Sequence, residues 1–197
     1  MRKHEAGFSV VEVVVVAAVT MITVGLAAPS ITGAIETYQF NSDVQNVAAT
    51  IRSARFTAVA SNVRMRVRFN CPSTGQMRIV EVTGDAAIDT ATDRCDLSAY
   101  PYPDPDANAA PNNDGPVLQM SSSTDLPAST SGLEISTAGR VVPLTSCPAC
   151  SAASPPAQLA IGDDRSDTTR RITVTATGGT SVSRYGTARE VTYEQAQ

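Results

Sequence analysis

The chain has 197 residues, enough for one domain with an appendage at about 150 residues per domain, and its 42% hydrophobic, 17% charged composition is globular. A formal charge of -4, with 5% aromatics and no Trp, excludes both a disordered polyanion and a polycation wrapped on nucleic acid. Residues 1–7 hold the only Lys and His, Lys3 and His4; losing them takes the basic and acidic counts from 15 and 19 to 13 and 18, a net -5. The remaining chain cannot build a Ser-His-Asp triad, a zincin, a P-loop or a Schiff base.

The first element is Phe8 to Ala28, FSVVEVVVVAAVTMITVGLAA, in which Glu12 is the single ionisable side chain. Its 21 residues, at about 1.5 Å of rise each, span roughly 30 Å as a helix, the thickness of a bilayer's hydrocarbon core. Its Val, Ile and Thr favour a strand by propensity, but in lipid only a helix pairs its own backbone groups. A cleaved secretory signal could use Gly25-Leu26-Ala27 as its processing site. Glu12 argues against that reading, because a carboxylate inside an apolar run costs about 2.5 to 3.5 kcal/mol and calls for a partner or a function.

The run Gly7-Phe8-Ser9-Val10-Val11-Glu12, followed by an apolar helix, resembles the type III signal of type IV pilins and type II secretion pseudopilins. The resemblance implies cleavage after Gly7 by a prepilin peptidase, methylation of the new amine of Phe8, and a Glu12 that faces the terminal amine of a neighbouring subunit. A carboxylate and an ammonium that are each costly in lipid become tolerable as a pair, and pairing between subunits sets their axial register. Pro29 stands where these helices carry a proline that kinks or locally opens them. The resemblance further implies a single pass through a bacterial inner membrane with a periplasmic head, then a periplasmic or extracellular filament. The implied partners are the prepilin peptidase, other pilins or pseudopilins, the inner-membrane assembly platform and the membrane itself. The Val-rich middle departs from the family, which is usually richer in Leu and Ile.

After Pro29, Phe40, Val44, Val47, Ile51, Ala54 and Ala58 recur at steps of 4, 3, 4, 3 and 4, one stripe of an amphipathic helix. One broken helix from about Phe8 to Ser61 is expected, with residues 29–62 laid on a head and Asn62 as its C-cap. From Val63 to Phe69 the chain alternates, Val63, Met65, Val67 and Phe69 on one face and Arg64, Arg66 and Arg68 on the other, a half-buried strand with a solvated basic face. Gln76 to Thr83 reads as its hairpin partner across residues 70–75. Later strands are expected at Val117–Met120, Leu133–Ser136, Arg140–Leu144, Gln158–Ile161, Arg171–Thr177 and Ser181–Arg184, the last two joined at Gly178-Gly179. Residues 100–132, rich in Pro, Ser, Asn and Asp, read as a long exposed loop holding one short strand. The expected fold is α+β and pilin-like: a leader at 1–7, a membrane or filament-core helix at 8–28, an amphipathic helix at 29–62, and an antiparallel β head at 63–197.

Ile51-Arg52-Ser53-Ala54-Arg55, the Thr137-Ala138-Gly139-Arg140 turn and the hairpin opening at Arg170-Arg171-Ile172-Thr173-Val174 resemble the GspH/FimT group of minor pilins and pseudopilins. This likeness implies an initiating or tip-proximal subunit of a secretion pseudopilus or a type IV pilus. The four cysteines, Cys71, Cys95, Cys147 and Cys150, permit three disulfide pairings. In an oxidising compartment the favoured set joins Cys71 to Cys95, stapling the hairpin to the following loop, with Cys147 and Cys150 as a local clip. Neither a four-thiolate zinc site nor a thioredoxin-type pair fits the spacing and the Pro-rich run after Cys150. Asp104, Asp106 and Asn108 mimic the opening of a calcium loop, but Ala109 and Gly115 stand where Gly and Glu are needed. Carboxylate-pair catalysis stays formally open, yet no acid sits in a recognisable constellation. The sequence therefore reads as a non-enzymatic structural subunit with no cofactor or metal. DNA capture by Arg64, Arg66 and Arg68 is the alternative.

Overall fold

The computed structural model describes residues 9–105, 110–127, 132–142, 157–165 and 168–187, without the side chains of residues 26–31 and 185–187. The chain divides into two units, Met1–Gln39 and Phe40–Gln197.

In the first unit all the described structure after Ser9 belongs to helix α1, Val10–Ser61, whose backbone runs through Pro29 and on into the second unit without the expected break, because a proline removes one backbone N–H and the neighbouring turns keep the rest of the ladder. Its threonines suit an apolar setting. Thr20 Oγ1 donates to the Val16 carbonyl at 2.9 Å, Thr23 Oγ1 to Val19 at 3.1 Å and Thr37 Oγ1 to Gly33 at 2.9 Å, so these hydroxyls are paired within the helix.

In the second unit the stripe expected from periodicity is the centre of the core. Phe40, Val44, Val47, Ile51, Ala54 and Ala58 are all buried, and Ala48 joins them. The helix stops at Asn62, whose positive φ of 54° lets the Val63 N–H return to the Ala58 carbonyl at 3.2 Å, the 6→1 bond of a Schellman end.

Two antiparallel sheets face this stripe. Sheet A is ordered β3-β2-β1-β5-β6, from β1 (Arg64–Phe69), β2 (Gln76–Val82), β3 (Val117–Gln119), β5 (Gly132–Ile135) and β6 (Val141–Val142). Sheet B is ordered β4-β7-β8-β9, from β4 (Thr124–Asp125), β7 (Ala157–Asp163), β8 (Thr168–Val174) and β9 (Thr180–Thr187). Met65, Val67, Phe69, Met77, Leu133 and Ile135 from sheet A share one apolar cluster with Leu159, Ile161, Ile172 and Val174 from sheet B. The α+β arrangement of a long helix followed by antiparallel sheets is the one the sequence leads to.

The 100–132 expectation needs correcting. The segment holds two strands, β3 and β4, and buries Asp114, Met120, Thr124 and Leu126. Its polar composition misleads because buried partners satisfy those polar groups: Asp43 Oδ2 accepts from the Ser121 N–H at 2.8 Å and from Thr124 Oγ1 at 2.7 Å. The short helix α2, Ala86–Asp89, was also not anticipated; Asp85 caps it by accepting from the Ala87 N–H at 2.9 Å.

The two sheets touch at their turns. The Val141 N–H of sheet A donates to the Ala176 carbonyl of the β8–β9 turn at 3.2 Å. Gly178 in that turn has φ of 78°, and a Cβ there would lie 2.6 Å from the Gly139 carbonyl oxygen and 2.8 Å from Arg55 Cδ. Gly178→Ala is therefore expected to cost about 2 kcal/mol or more, through strain and displacement together. Thermal unfolding of the full-length protein in detergent, followed by circular dichroism, checks it; Gly179→Ala, outside the left-handed region and with only the Thr175 Oγ1 at 3.1 Å from its Cβ, is expected to cost less.

Candidate functional site

Two places carry the residues singled out by sequence: the apolar part of α1 and the outer face of sheet A. In the first, the described large hydrophobics are all exposed, from Val10 at 79% to Val15 at 55%, and Val19, Met21, Ile22 and Val24 likewise. Glu12 is exposed among them in the first turn of α1, where a helix N-terminus favours a carboxylate. Such a surface cannot stand in water and needs apolar cover. Among the described residues no helix is long and apolar enough to cross a membrane; the described side chains of the apolar run are those of residues 9–25. Gly7 and Phe8 lie outside the described residues, as does the side chain of Pro29.

In the second place Arg64, Arg66 and Arg68 do share one face of β1, but that face is not the solvated one expected. Residues 83–105 and 110–116 roof it, through Asp89, Arg94, Tyr100, Asp114 and Gly115, so sheet A is covered on both sides. Arg66 is 4% exposed; its Nη2 donates to Glu134 Oε2 at 2.9 Å and its Nη1 to the Asp89 carbonyl at 3.4 Å. Arg64 Nη1 reaches the other oxygen of fully buried Glu134 at 3.2 Å. Arg68 stands opposite Arg78 on β2. Burial holds its guanidinium below the usual arginine range, with the charges of Arg66 and Arg94 adding to the effect.

Sequence reasoning missed the rest of this roof. Arg78 donates from Nε to the Gly115 carbonyl at 2.8 Å and from Nη2 to the Tyr100 carbonyl at 2.7 Å, with Asp114 at 3.8 Å. Burial lowers the Arg78 pKa, and the Asp114 charge works against that shift. Arg94 pairs with Asp114, donates to the Glu81 carbonyl at 3.0 Å and lies 4.5 Å from the centre of the Tyr100 ring. Glu81 Oε2 accepts from the Asn112 and Asn113 N–H groups at 3.0 Å each. The expected Cys71–Cys95 disulfide is present, with Cα atoms 5.6 Å apart, and tucks beside Val80 in a small second core. Cys147 and Cys150 lie outside the described residues, as do Asp106 and Asn108 of the calcium-like run. Among the described residues no group of His, Cys, Asp and Glu could hold a metal ion.

No family model matches the chain, and no curated protein matches it in sequence. Among solved structures it is similar to the minor pseudopilin EpsH of the type 2 secretion system of Vibrio cholerae, at 15% identity and a TM-score of 0.42 over 74% of this chain and 97% of that one. It is also similar to the type IV minor pilin FimU of Pseudomonas aeruginosa, at 12% identity and a TM-score of 0.47 over 77% of this chain and 96% of that one.

The buried charges set a test of the roof. Glu134→Ala leaves Arg66 buried without its counter-ion and is expected to destabilise the head by about 3 to 5 kcal/mol, whereas the apolar double variant Arg66→Met, Glu134→Leu recovers most of that loss. Thermal melts of the two proteins, compared with the parent, check both.

Proposed function

We propose that this chain is a structural minor-pilin or pseudopilin subunit, held in a bacterial inner membrane by α1 before assembly machinery draws it into a filament. The observation that carries the reading is Glu12, the single ionisable residue of the apolar run Phe8–Ala28, whose described large hydrophobic side chains are exposed and which follows Gly7. In this reading the prepilin peptidase cuts after Gly7 and methylates Phe8. The apolar residues from Phe8 to Ala28 occupy lipid first and the filament core later. Glu12 of one copy accepts the ammonium of a neighbour's Phe8, which removes two desolvation penalties with one contact and sets the axial step between subunits. The head carries no part of that anchoring chemistry, which leaves its surface for contacts at the start or tip of the filament. A type II secretion pseudopilus and a type IV pilus use the same N-terminal logic. DNA capture through Arg64, Arg66 and Arg68 draws no support from a face on which Arg64 and Arg66 are paired with Glu134 and Arg68 is desolvated by burial.

Two measurements on the protein from host membranes test the proposal. Intact mass and terminal sequencing are expected to find a methylated Phe8 at the N-terminus; a start at Met1 would make the segment a plain anchor. Glu12→Ala is expected to leave the membrane-bound fraction unchanged and to deplete the sheared filament fraction about tenfold or more, on the scale of one buried charge pair. Unaltered incorporation of Glu12→Ala would sink the assembly role.

A further inference from the structure

The inner face of sheet B does not end where the core ends. On β8, Val174 and Ile172 are buried against the helix, and the next residue on that face is Arg170. On β9, Val182 packs at the margin of the same cluster and is followed on that face by Arg184. The strand register sets Arg170 directly opposite Arg184. Like charges in that relation are destabilising. Sheet A holds a comparable pair, Arg68 opposite Arg78, but there Asp114 and two backbone carbonyls answer Arg78. Among the described residues no carboxylate pairs with Arg170 or Arg184; Arg170 Nη2 donates to Asn41 Oδ1 at 3.0 Å, and Arg184 is exposed.

The pair stands at a cavity of about 170 Å³ between α1 and β9, with Asn41, Gln45 and Val182 in its wall. Two arginines on neighbouring strands at one cavity, whose wall mixes Asn41, Gln45 and Ser183 with Val44 and Val182, offer a donor set that can meet a carboxylate. The volume is below the roughly 300 to 1,000 Å³ of small-molecule sites, so it suits one side chain rather than a free metabolite. A nucleic-acid backbone needs a row of cations, whereas this chain has 19 acids against 15 basic residues. Among the described residues β9 is also the edge strand of sheet B, a place where an extended segment of another protein can pair.

We propose that Arg170 and Arg184 form a receptor for an Asp or Glu side chain of a second polypeptide docking at the β9 edge. The site goes beyond the filament reading and needs neither the N-terminal signal nor assembly, so the two can fail separately. Its test uses the full-length protein in detergent micelles at low salt and fluorescence anisotropy with a labelled Glu-Ser repeat peptide. Binding is expected, suppressed by salt, and weakened about tenfold or more in Arg184→Gln and in the Arg170→Gln, Arg184→Gln double variant. Arg140→Gln, an exposed arginine elsewhere, is expected to bind like the parent. Arg184→Glu is expected to move the preference to a Lys-Ser repeat. Because the Arg184 side chain is exposed, its replacement tests recognition with the fold intact, which a melting curve verifies. The proposal is overturned if the parent does not bind the Glu-Ser peptide or a Gln-Ser repeat binds equally. Undiminished binding by Arg184→Gln, or capture of single-stranded DNA or inorganic phosphate in place of the peptide, overturns it as well.

Discussion

The head depends on one contact: the stripe from Phe40 to Ala58 on α1, against which both sheets place their apolar faces. Neither sheet closes on itself, and five- and four-stranded open sheets of this size need an apolar partner to be stable. A single helix supplies it to both. That shared dependence explains the small residues at Ala48, Ala54 and Ala58, which let the sheets approach the helix closely, and the glycine turn at residue 178, which lies against Gly139 and Arg55.

The outer face of sheet A is held by different means. Where the inner face uses aliphatic contact, the roof over β1 and β2 is a buried polar layer in which Glu134, Asp114, Glu81 and Asp89 are each matched to arginines or backbone N–H groups. Such layers cost desolvation and return it only when nearly every group has a partner. The Cys71–Cys95 bridge adds a constraint on the unfolded chain across a separation of 24 residues, in a region with little apolar surface of its own. The roof is thus a loop held down by charge geometry and one covalent tie.

The helix itself has two chemistries along its length. Residues 10–25 carry exposed apolar side chains all round, with Glu12 the one ionisable group among them, while residues 40–58 are apolar on one stripe and buried there. One continuous element, α1, carries both. A helix that is hydrophobic all round asks for lipid or other helices, and one with a stripe asks for a sheet. The membrane and assembly roles proposed for the first part and the scaffold role of the second follow from that difference in pattern.

The pattern was legible because it is local. Period 3.6 marked the stripe from Phe40 to Ala58, period 2 marked β1 and its hairpin partner, Asn62 marked the helix end, and two glycines marked the β8–β9 turn. The resemblance of the Gly7 to Glu12 run, on which the proposed processing rests, needs no fold to be seen. What remained hidden was pairing over distance. Alternation places Arg64, Arg66 and Arg68 on one face but cannot say whether that face meets water or residues such as Asp89 and Glu134, and composition cannot tell that Asp114 and Thr124 inside a Pro- and Asn-rich stretch are buried. Nor does any spacing in the chain announce that Arg170 and Arg184, 14 positions apart, stand opposite each other. The sequence by itself determined which residues prefer apolar surroundings and with what period. Only the tertiary structure decided which charges meet, because the energy of a charge depends on the groups and the dielectric around it, and those are assembled from distant parts of the chain.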